Sequence, residues 1–120
     1  IGIGVDLVEV DRMRAALERT PTLAARLFTD GERAYATAAK DPAERFAARF
    51  AAKEAVLKAL GVGLGAADWH DIEVVRAPSG APSLRITGRA LAHADAAGVT
   101  RWLLTLTHTH RTAEAIAVAL

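Results

Sequence analysis

The chain has 120 residues, of which 52% are hydrophobic, and a formal net charge of +1 at pH 7. This length suits a single domain over residues 1–120, and the apolar content excludes a disordered chain, which needs low hydrophobicity and high net charge. The small net charge gives no reason to expect nucleic acid as a partner. No signal peptide is visible, and no apolar run approaches the ~20 residues of a membrane span. The absence of cysteine excludes disulfides and thiolate metal sites and fits a cytoplasmic protein.

The N-terminal third of the chain predicts one strand followed by short helices. Apolar residues alternate along residues 1–10, which predicts a strand. The residues that share its apolar face are Ile1, Ile3, Val5 and Leu7. Asp11 is expected to cap a helix that ends at residue 19. Further helical stretches are expected over residues 23–28 and 32–39.

The clearest predicted element is a long helix over residues 42–60. Asp41 precedes it as a candidate cap, Pro42 suits its first turn, and Gly61 is expected to end it. Beyond it, the pattern predicts four strands, over residues 71–76, 84–87, 102–107 and 113–120. A short helix is predicted over residues 88–97. The fold class is therefore α+β, one domain in which a small, mostly antiparallel sheet packs against a long helix.

Asp6 is a carboxylate on an otherwise apolar strand, where an unpaired charge is costly. Its neighbours on the same face, Gly2 and Gly4, have no side chains, so we expect room for a ligand beside this backbone. The alternative is a structural Asp that pairs with a helix or with an arginine.

Glu54 and Lys58 lie four residues apart on one side of the predicted long helix. As a pair they are typical of an exposed helix surface, where they would add only a few tenths of a kcal/mol. Combined with Asp6 they suggest more, because Mg²⁺ prefers oxygen ligands, often one or two carboxylates completed by water and phosphate oxygens. A nearby lysine can neutralise phosphate charge.

Two segments, Gly4-Val5-Asp6-Leu7-Val8-Glu9 and Arg49-Phe50-Ala51-Ala52-Lys53-Glu54-Ala55, resemble signatures of the small bacterial holo-acyl-carrier-protein synthases. The similarity extends through nearly the whole chain. It implies a 4′-phosphopantetheinyl transferase fold and an enzyme that moves 4′-phosphopantetheine from coenzyme A to a serine of apo-acyl carrier protein. The second product is 3′,5′-ADP, and the reaction supports fatty acid biosynthesis. The resemblance also implies a homotrimer with sites between subunits.

The resemblance assigns Mg²⁺ binding to Asp6 and Glu54. It assigns catalytic roles to Glu54 and Lys58, and the lysine would neutralise phosphate charge together with the metal. The base that activates the serine stays open between Glu54 and a metal-bound water.

The resemblance further assigns coenzyme A contacts to four residues, which are Arg49, Gly61, His108 and Thr109. From the residues alone, Gly61 is equally well a helix cap, and His108 a surface histidine, since a third His or Cys for a zinc site is missing nearby. Ala81 stands where relatives commonly carry a lysine, which puts a phosphate contact from that turn in doubt.

Arg12 and Arg26, with Arg19 as the weaker candidate, are expected to dock the acidic acyl carrier protein. The plain alternative is a solvated helix surface. Two other functions compete: a non-catalytic binding or oligomerisation module, and part of a two-lobed phosphopantetheinyl transferase of about twice this length.

Overall fold

Two antiparallel sheets and five helices make up the structure, a computed structural model that describes residues 1–120. The strands are β1 Gly2–Glu9, β2 Ile72–Arg76, β3 Pro82–Ile86, β4 Trp102–His108 and β5 Thr112–Ala119. The first sheet has the order β1-β5-β4, and the second is the hairpin β2-β3. The helices are α1 Val10–Arg19, α2 Leu23–Leu27, α3 Asp30–Thr37, α4 Pro42–Leu60 and α5 Gly88–Ala96.

The predicted α+β class is confirmed, since every strand pairs antiparallel and α4 packs on the three-stranded sheet. The predicted bounds of α4 are confirmed residue for residue, and Gly61 ends the helix in the left-handed conformation with φ of 71°. None of the helices combines the length and apolarity that crossing a membrane requires.

The predicted cap Asp11 is wrong, because Asp11 lies inside the first turn of α1, whose N-cap is Glu9. Asp41 is the N-cap residue of α4, as predicted, but its side chain makes no capping hydrogen bond. Both carboxylates bind Arg14 instead, at 2.5 Å and 2.6 Å, so they join α1 to the start of α4.

The apolar face of β1 that the alternation predicted is the exposed one. Ile3 and Leu7 are 70% and 63% exposed, whereas Gly2 and Gly4 pack against α4. A Cβ atom at either glycine would overlap the carbonyl oxygen of Ala59 or Ala55. The expectation of ligand space beside the glycines is therefore wrong, because the helix backbone occupies that space.

Alanine lets β5 and α4 approach closely. The inward residues of β5 are fully or almost fully buried, and these are Ala113, Ala115, Ala117 and Ala119. The facing turns of α4 contribute Ala47, Ala51 and Ala55, all buried completely. Small side chains on both surfaces fix the height of α4 above the sheet, and thereby the position of every functional residue on the helix.

A fully buried ion pair joins α3, α4 and β2. Lys53 lies 2.8 Å from Glu32, and neither side chain has any exposed surface. Lys53 also donates to the carbonyl oxygens of Trp69 and Ile72, and Glu32 accepts from the backbone N–H of Val74. Burial lowers the pKa of Lys53, and the charge of Glu32 opposes that change.

Candidate functional site

Asp6 and Glu54 line one cavity of about 570 Å³ between β1, α1, α2 and α4. The two carboxylates are 48 residues apart in sequence and reach this cavity from a strand and a helix. The cavity therefore brings together the two residues that the sequence singled out as metal ligands.

Lys58 pairs with Asp6 and not with Glu54. Its Nζ lies 3.0 Å from Oδ1 of Asp6 and donates to the carbonyl oxygen of Val5 at 2.9 Å. The Asp6 side chain is 11% exposed and that of Lys58 is 54% exposed, so the lysine reaches in from solvent. The structural alternative for Asp6, a pair with a cation on a helix, is therefore present. The alternative for Glu54, a simple surface pair with Lys58, does not form.

Glu54 is half-buried, and its pKa lies above the ordinary value. Burial is the largest cause, the negative charge of Asp6 adds to it, and Lys58 opposes it. One lysine thus contacts a pair of carboxylates that repel each other. Two hard oxygen donors with an unbalanced charge are a set that suits a divalent cation such as Mg²⁺.

The rest of the cavity is largely apolar. Met13, Leu27 and Phe50 line it from α1, α2 and α4. Sequence reasoning did not foresee that Phe50 lines a cavity. The signal was present in the helical spacing of Phe50 and Glu54, which share one side of α4.

Arg12 and Arg19, both exposed, lie on α1 and line the same cavity. Arg26 is also exposed, but it lies on α2 and does not line the cavity. The structure therefore places the weaker docking candidate, Arg19, closer to the carboxylates than the stronger candidate, Arg26.

Arg49 lies away from the carboxylates within the chain. It is 4% exposed, and its guanidinium stacks over the Tyr35 ring at 4.1 Å, where Arg45 and Arg76 also contact the ring. Its Nε has no hydrogen-bond partner, and burial lowers its pKa. It lines a second cavity of about 250 Å³ that Asp6 and Glu54 do not reach.

Gly61, His108 and Thr109 also lie outside the cavity of Asp6 and Glu54. Open space surrounds the Cα of Gly61. The hydroxyl of Thr109 accepts from the backbone N–H groups of residues 111 and 112 and so shapes the turn between β4 and β5. His108 contacts Glu44, in the first turn of α4. Sequence reasoning missed Glu44, because no local pattern connects residues 64 positions apart.

Comparison with known proteins agrees with this geometry. The family model described as the 4′-phosphopantetheinyl transferase superfamily matches residues 2–118. A relative from Frankia alni, named holo-[acyl-carrier-protein] synthase, is 52% identical over 119 residues, covering 99% of this chain and 96% of its own length.

Solved structures show the same fold. A holo-[acyl-carrier-protein] synthase from Neisseria meningitidis superposes with a TM-score of 0.89 at 30% identity, covering 99% of this chain and 97% of the other. A synthase from Bacillus anthracis in complex with CoA (3′,5′-ADP) has a TM-score of 0.82 at 32% identity, covering 99% and 95%. The chain therefore belongs to the 4′-phosphopantetheinyl transferase superfamily.

Proposed function

We propose that this chain is a holo-[acyl-carrier-protein] synthase, which transfers 4′-phosphopantetheine from coenzyme A to a serine of apo-acyl carrier protein and releases 3′,5′-ADP. The observation that carries the proposal is the cavity in which Asp6 and Glu54 meet. Relatives of that name align over almost the whole chain, and one solved relative holds CoA (3′,5′-ADP). A non-catalytic module would have no use for an electrostatically unbalanced carboxylate pair beside a lysine.

Asp6 and Glu54 would hold Mg²⁺, the ion that their oxygen donors suit. When bound, the ion would neutralise negative charge that the two carboxylates and a diphosphate bring together. The support for this step is the position of Asp6 and Glu54 on one cavity, where burial first and the negative charge of Asp6 second raise the pKa of Glu54.

Lys58 is proposed to act on the phosphate that is transferred. Its ammonium group is partly exposed and contacts the Asp6 carboxylate. A phosphate oxygen that binds near Asp6 would therefore lie close to this cation. A positioned cation stabilises the charge of the transferring phosphoryl group. Glu54 and a water molecule are the two candidates for taking the proton of the serine hydroxyl.

The cavity also offers places for the two substrates. Its apolar part, formed by Met13, Leu27 and Phe50, suits the uncharged pantetheine arm. Arg12 and Arg19 at its rim suit an acidic acyl carrier protein, and Arg26 on α2 extends the same basic region.

We further infer a homotrimer. The outer face of the three-stranded sheet exposes Ile3 and Leu103, which flank the partly buried Val118 on the middle strand. An exposed apolar sheet face is typical of a subunit interface. Arg49, Gly61, His108 and Thr109, the proposed coenzyme A contacts, lie outside the carboxylate cavity, so a neighbouring subunit would supply them to it. Light scattering tests this inference, and an active monomer at working concentration contradicts it.

Mass spectrometry of apo-acyl carrier protein incubated with this chain, coenzyme A and Mg²⁺ tests the activity. The expected result is one added phosphopantetheine group per carrier and release of 3′,5′-ADP, with no addition when chelator replaces Mg²⁺. An unmodified carrier under all conditions contradicts the proposal and favours the binding module. Three further statements are predictions: residues 1–120 form one domain, the protein lies in the cytoplasm, and its reaction supports fatty acid biosynthesis.

A further inference from the structure

Glu44 contacts two imidazoles, those of His108 and His110. Its Oε2 lies 3.1 Å from Nδ1 of His108, and its Oε1 lies 3.0 Å from Nδ1 of His110. The Glu44 side chain is 16% exposed, whereas those of His108 and His110 are 46% and 98% exposed. One shielded carboxylate in the first turn of α4 thus contacts two histidines, one at the end of β4 and one in the turn that follows.

This contact places the carboxylate on the Nδ1 side of the His108 ring. Nε2, on the opposite side of the ring, is left for another partner. The turn itself is stiffened by the Thr109 hydroxyl, which accepts from the backbone N–H groups of Arg111 and Thr112. The turn and the carboxylate on the Nδ1 side therefore favour one arrangement of the ring before any ligand arrives.

The chemistry of this arrangement suits an anionic oxygen. An imidazole that carries both protons has one positive charge and can donate from Nε2 to a phosphate oxygen. The Glu44 carboxylate on the Nδ1 side compensates the positive charge of the ring. The ring can therefore donate from Nε2 to an anion without being an unpaired cation when the anion is absent. Such charge-assisted hydrogen bonds are about twice as strong as neutral ones.

We propose that Glu44 is a positioning residue for coenzyme A: it holds the His108 imidazole so that Nε2 donates to a coenzyme A phosphate. The inference rests on the proposed function, because it deepens the assignment of His108 to that substrate. Glu44 itself touches no substrate and acts only through His108.

The test measures steady-state kinetics and direct coenzyme A binding by calorimetry for Glu44→Ala, Glu44→Gln, His108→Ala and the double variant. We expect Glu44→Ala to raise the KM and Kd for coenzyme A about 5- to 20-fold, with kcat and the carrier KM within about twofold of wild type. Glu44→Gln, which keeps an acceptor for Nδ1, should recover part of the loss. His110→Ala is the matched control, since the same carboxylate holds His110 on its other oxygen, and its KM should change less than about twofold.

The double variant decides whether Glu44 acts through His108. Adding Glu44→Ala to His108→Ala should change coenzyme A binding no further, since a positioning residue has nothing left to position. Independent, additive losses, or an unchanged coenzyme A Kd in Glu44→Ala, would overturn the inference. Comparison of coenzyme A with 3′-dephospho-coenzyme A identifies the phosphate: loss of the effect with the dephospho compound assigns the 3′-phosphate, and its retention assigns the diphosphate.

Failure of this inference is distinguishable from failure of the proposed function. If the carrier is never modified but coenzyme A binds, the proposed reaction is wrong, and the calorimetric cycle still decides the role of Glu44. If the wild-type chain transfers the group and the Glu44 variants bind coenzyme A normally, only the positioning role is wrong. If the wild-type chain binds no coenzyme A, both are wrong.

Discussion

Lys53 and Glu54 are consecutive residues of α4, yet they enter opposite electrostatic surroundings. Lys53 points into the interior, where Glu32 and two backbone carbonyl oxygens surround its ammonium group. Glu54 points into a cavity, where burial and then the negative charge of Asp6 raise its pKa, and one exposed lysine opposes that change. One step along the helix therefore separates a satisfied charge from an unsatisfied one.

The difference indicates which charge is structural and which is functional. A buried pair with complete hydrogen bonding holds α3, α4 and β2 in one arrangement, and it has nothing left to offer a ligand. Asp6 and Glu54 share a single contacting lysine, so a second cation would still be attracted to this pair. Substitutions at the two places should accordingly damage different properties of the protein.

The largest expected effect is on catalysis at the carboxylate pair. Asp6→Ala or Glu54→Ala should lower kcat/KM by about 1,000-fold or more, because charge on the transferring phosphate loses its compensation. The thermal midpoint should stay near that of wild type. Carrier modification followed by mass spectrometry measures this loss, and near-normal activity at saturating Mg²⁺ in either variant would refute the metal assignment.

Next in size is the stability effect at the buried pair. Lys53→Met leaves Glu32 buried without its partner, which should cost about 3–5 kcal/mol of unfolding free energy. Urea denaturation measures this cost. The matched control is Lys58→Met on the same helix, whose exposed pair with Asp6 should contribute no more than about 1 kcal/mol. Equal losses in the two variants would show that the two charges are not distinguished as we describe.

A smaller effect is expected when the exposed cation at the site is removed. Lys58→Ala should lower kcat about 10- to 100-fold, because a cation near the transferring phosphate is lost. A change confined to the KM for coenzyme A would make Lys58 a binding residue only.

Docking of the acyl carrier protein should depend on the arginines around the cavity. Arg12→Glu with Arg19→Glu should raise the carrier KM about 10-fold, and added salt should weaken wild-type binding by screening. Arg12→Glu with Arg26→Glu tests the sequence-based choice and should act less, since Arg26 does not line the cavity. An unchanged carrier KM in both double variants would identify a solvated surface.

The smallest expected effect is the dependence of stability on the protonation of Glu54. Folding raises the pKa of this carboxyl, so the folded chain binds the proton more tightly than the unfolded chain. The resulting stability is fully present below the ordinary pKa and is lost as the pH rises through the raised value. Glu54→Gln should remove this loss and be slightly more stable than wild type at neutral pH. A wild-type pH profile identical to that of Glu54→Gln would contradict it.

The sequence predicted best where local chemistry decides. The bounds of α4 follow from Pro42 in its first turn and Gly61 at its end, and both are visible in the sequence. Asp6 was found because a charge on an apolar strand is unusual, whereas Glu54 was assigned through the resemblance to the synthases. The orientation of β1 was not predictable in the same way, since alternation gives the period of a strand but not which face another element covers.

Contacts between distant residues account for most of what was missed. Arg14 captures Asp41 from 27 residues away, and Glu44 holds His110 from 66 residues away. A local pattern of cap residues cannot reveal such competition for a side chain. The buried state of Lys53 was hidden for the same reason, because its partner Glu32 belongs to another helix.

The most direct test of the account is a carbon-13 NMR titration of the Glu54 side-chain carboxyl with and without Mg²⁺. In wild type without metal, the pKa should lie above the ordinary value for Glu, and Asp6→Asn should bring it down. Added Mg²⁺ should lower the pKa in wild type, because a bound cation favours the carboxylate, and should have much less effect in Asp6→Asn. A Glu54 pKa that is ordinary without metal and unchanged by millimolar Mg²⁺ would contradict the claim that Asp6 and Glu54 form an unbalanced pair awaiting a cation.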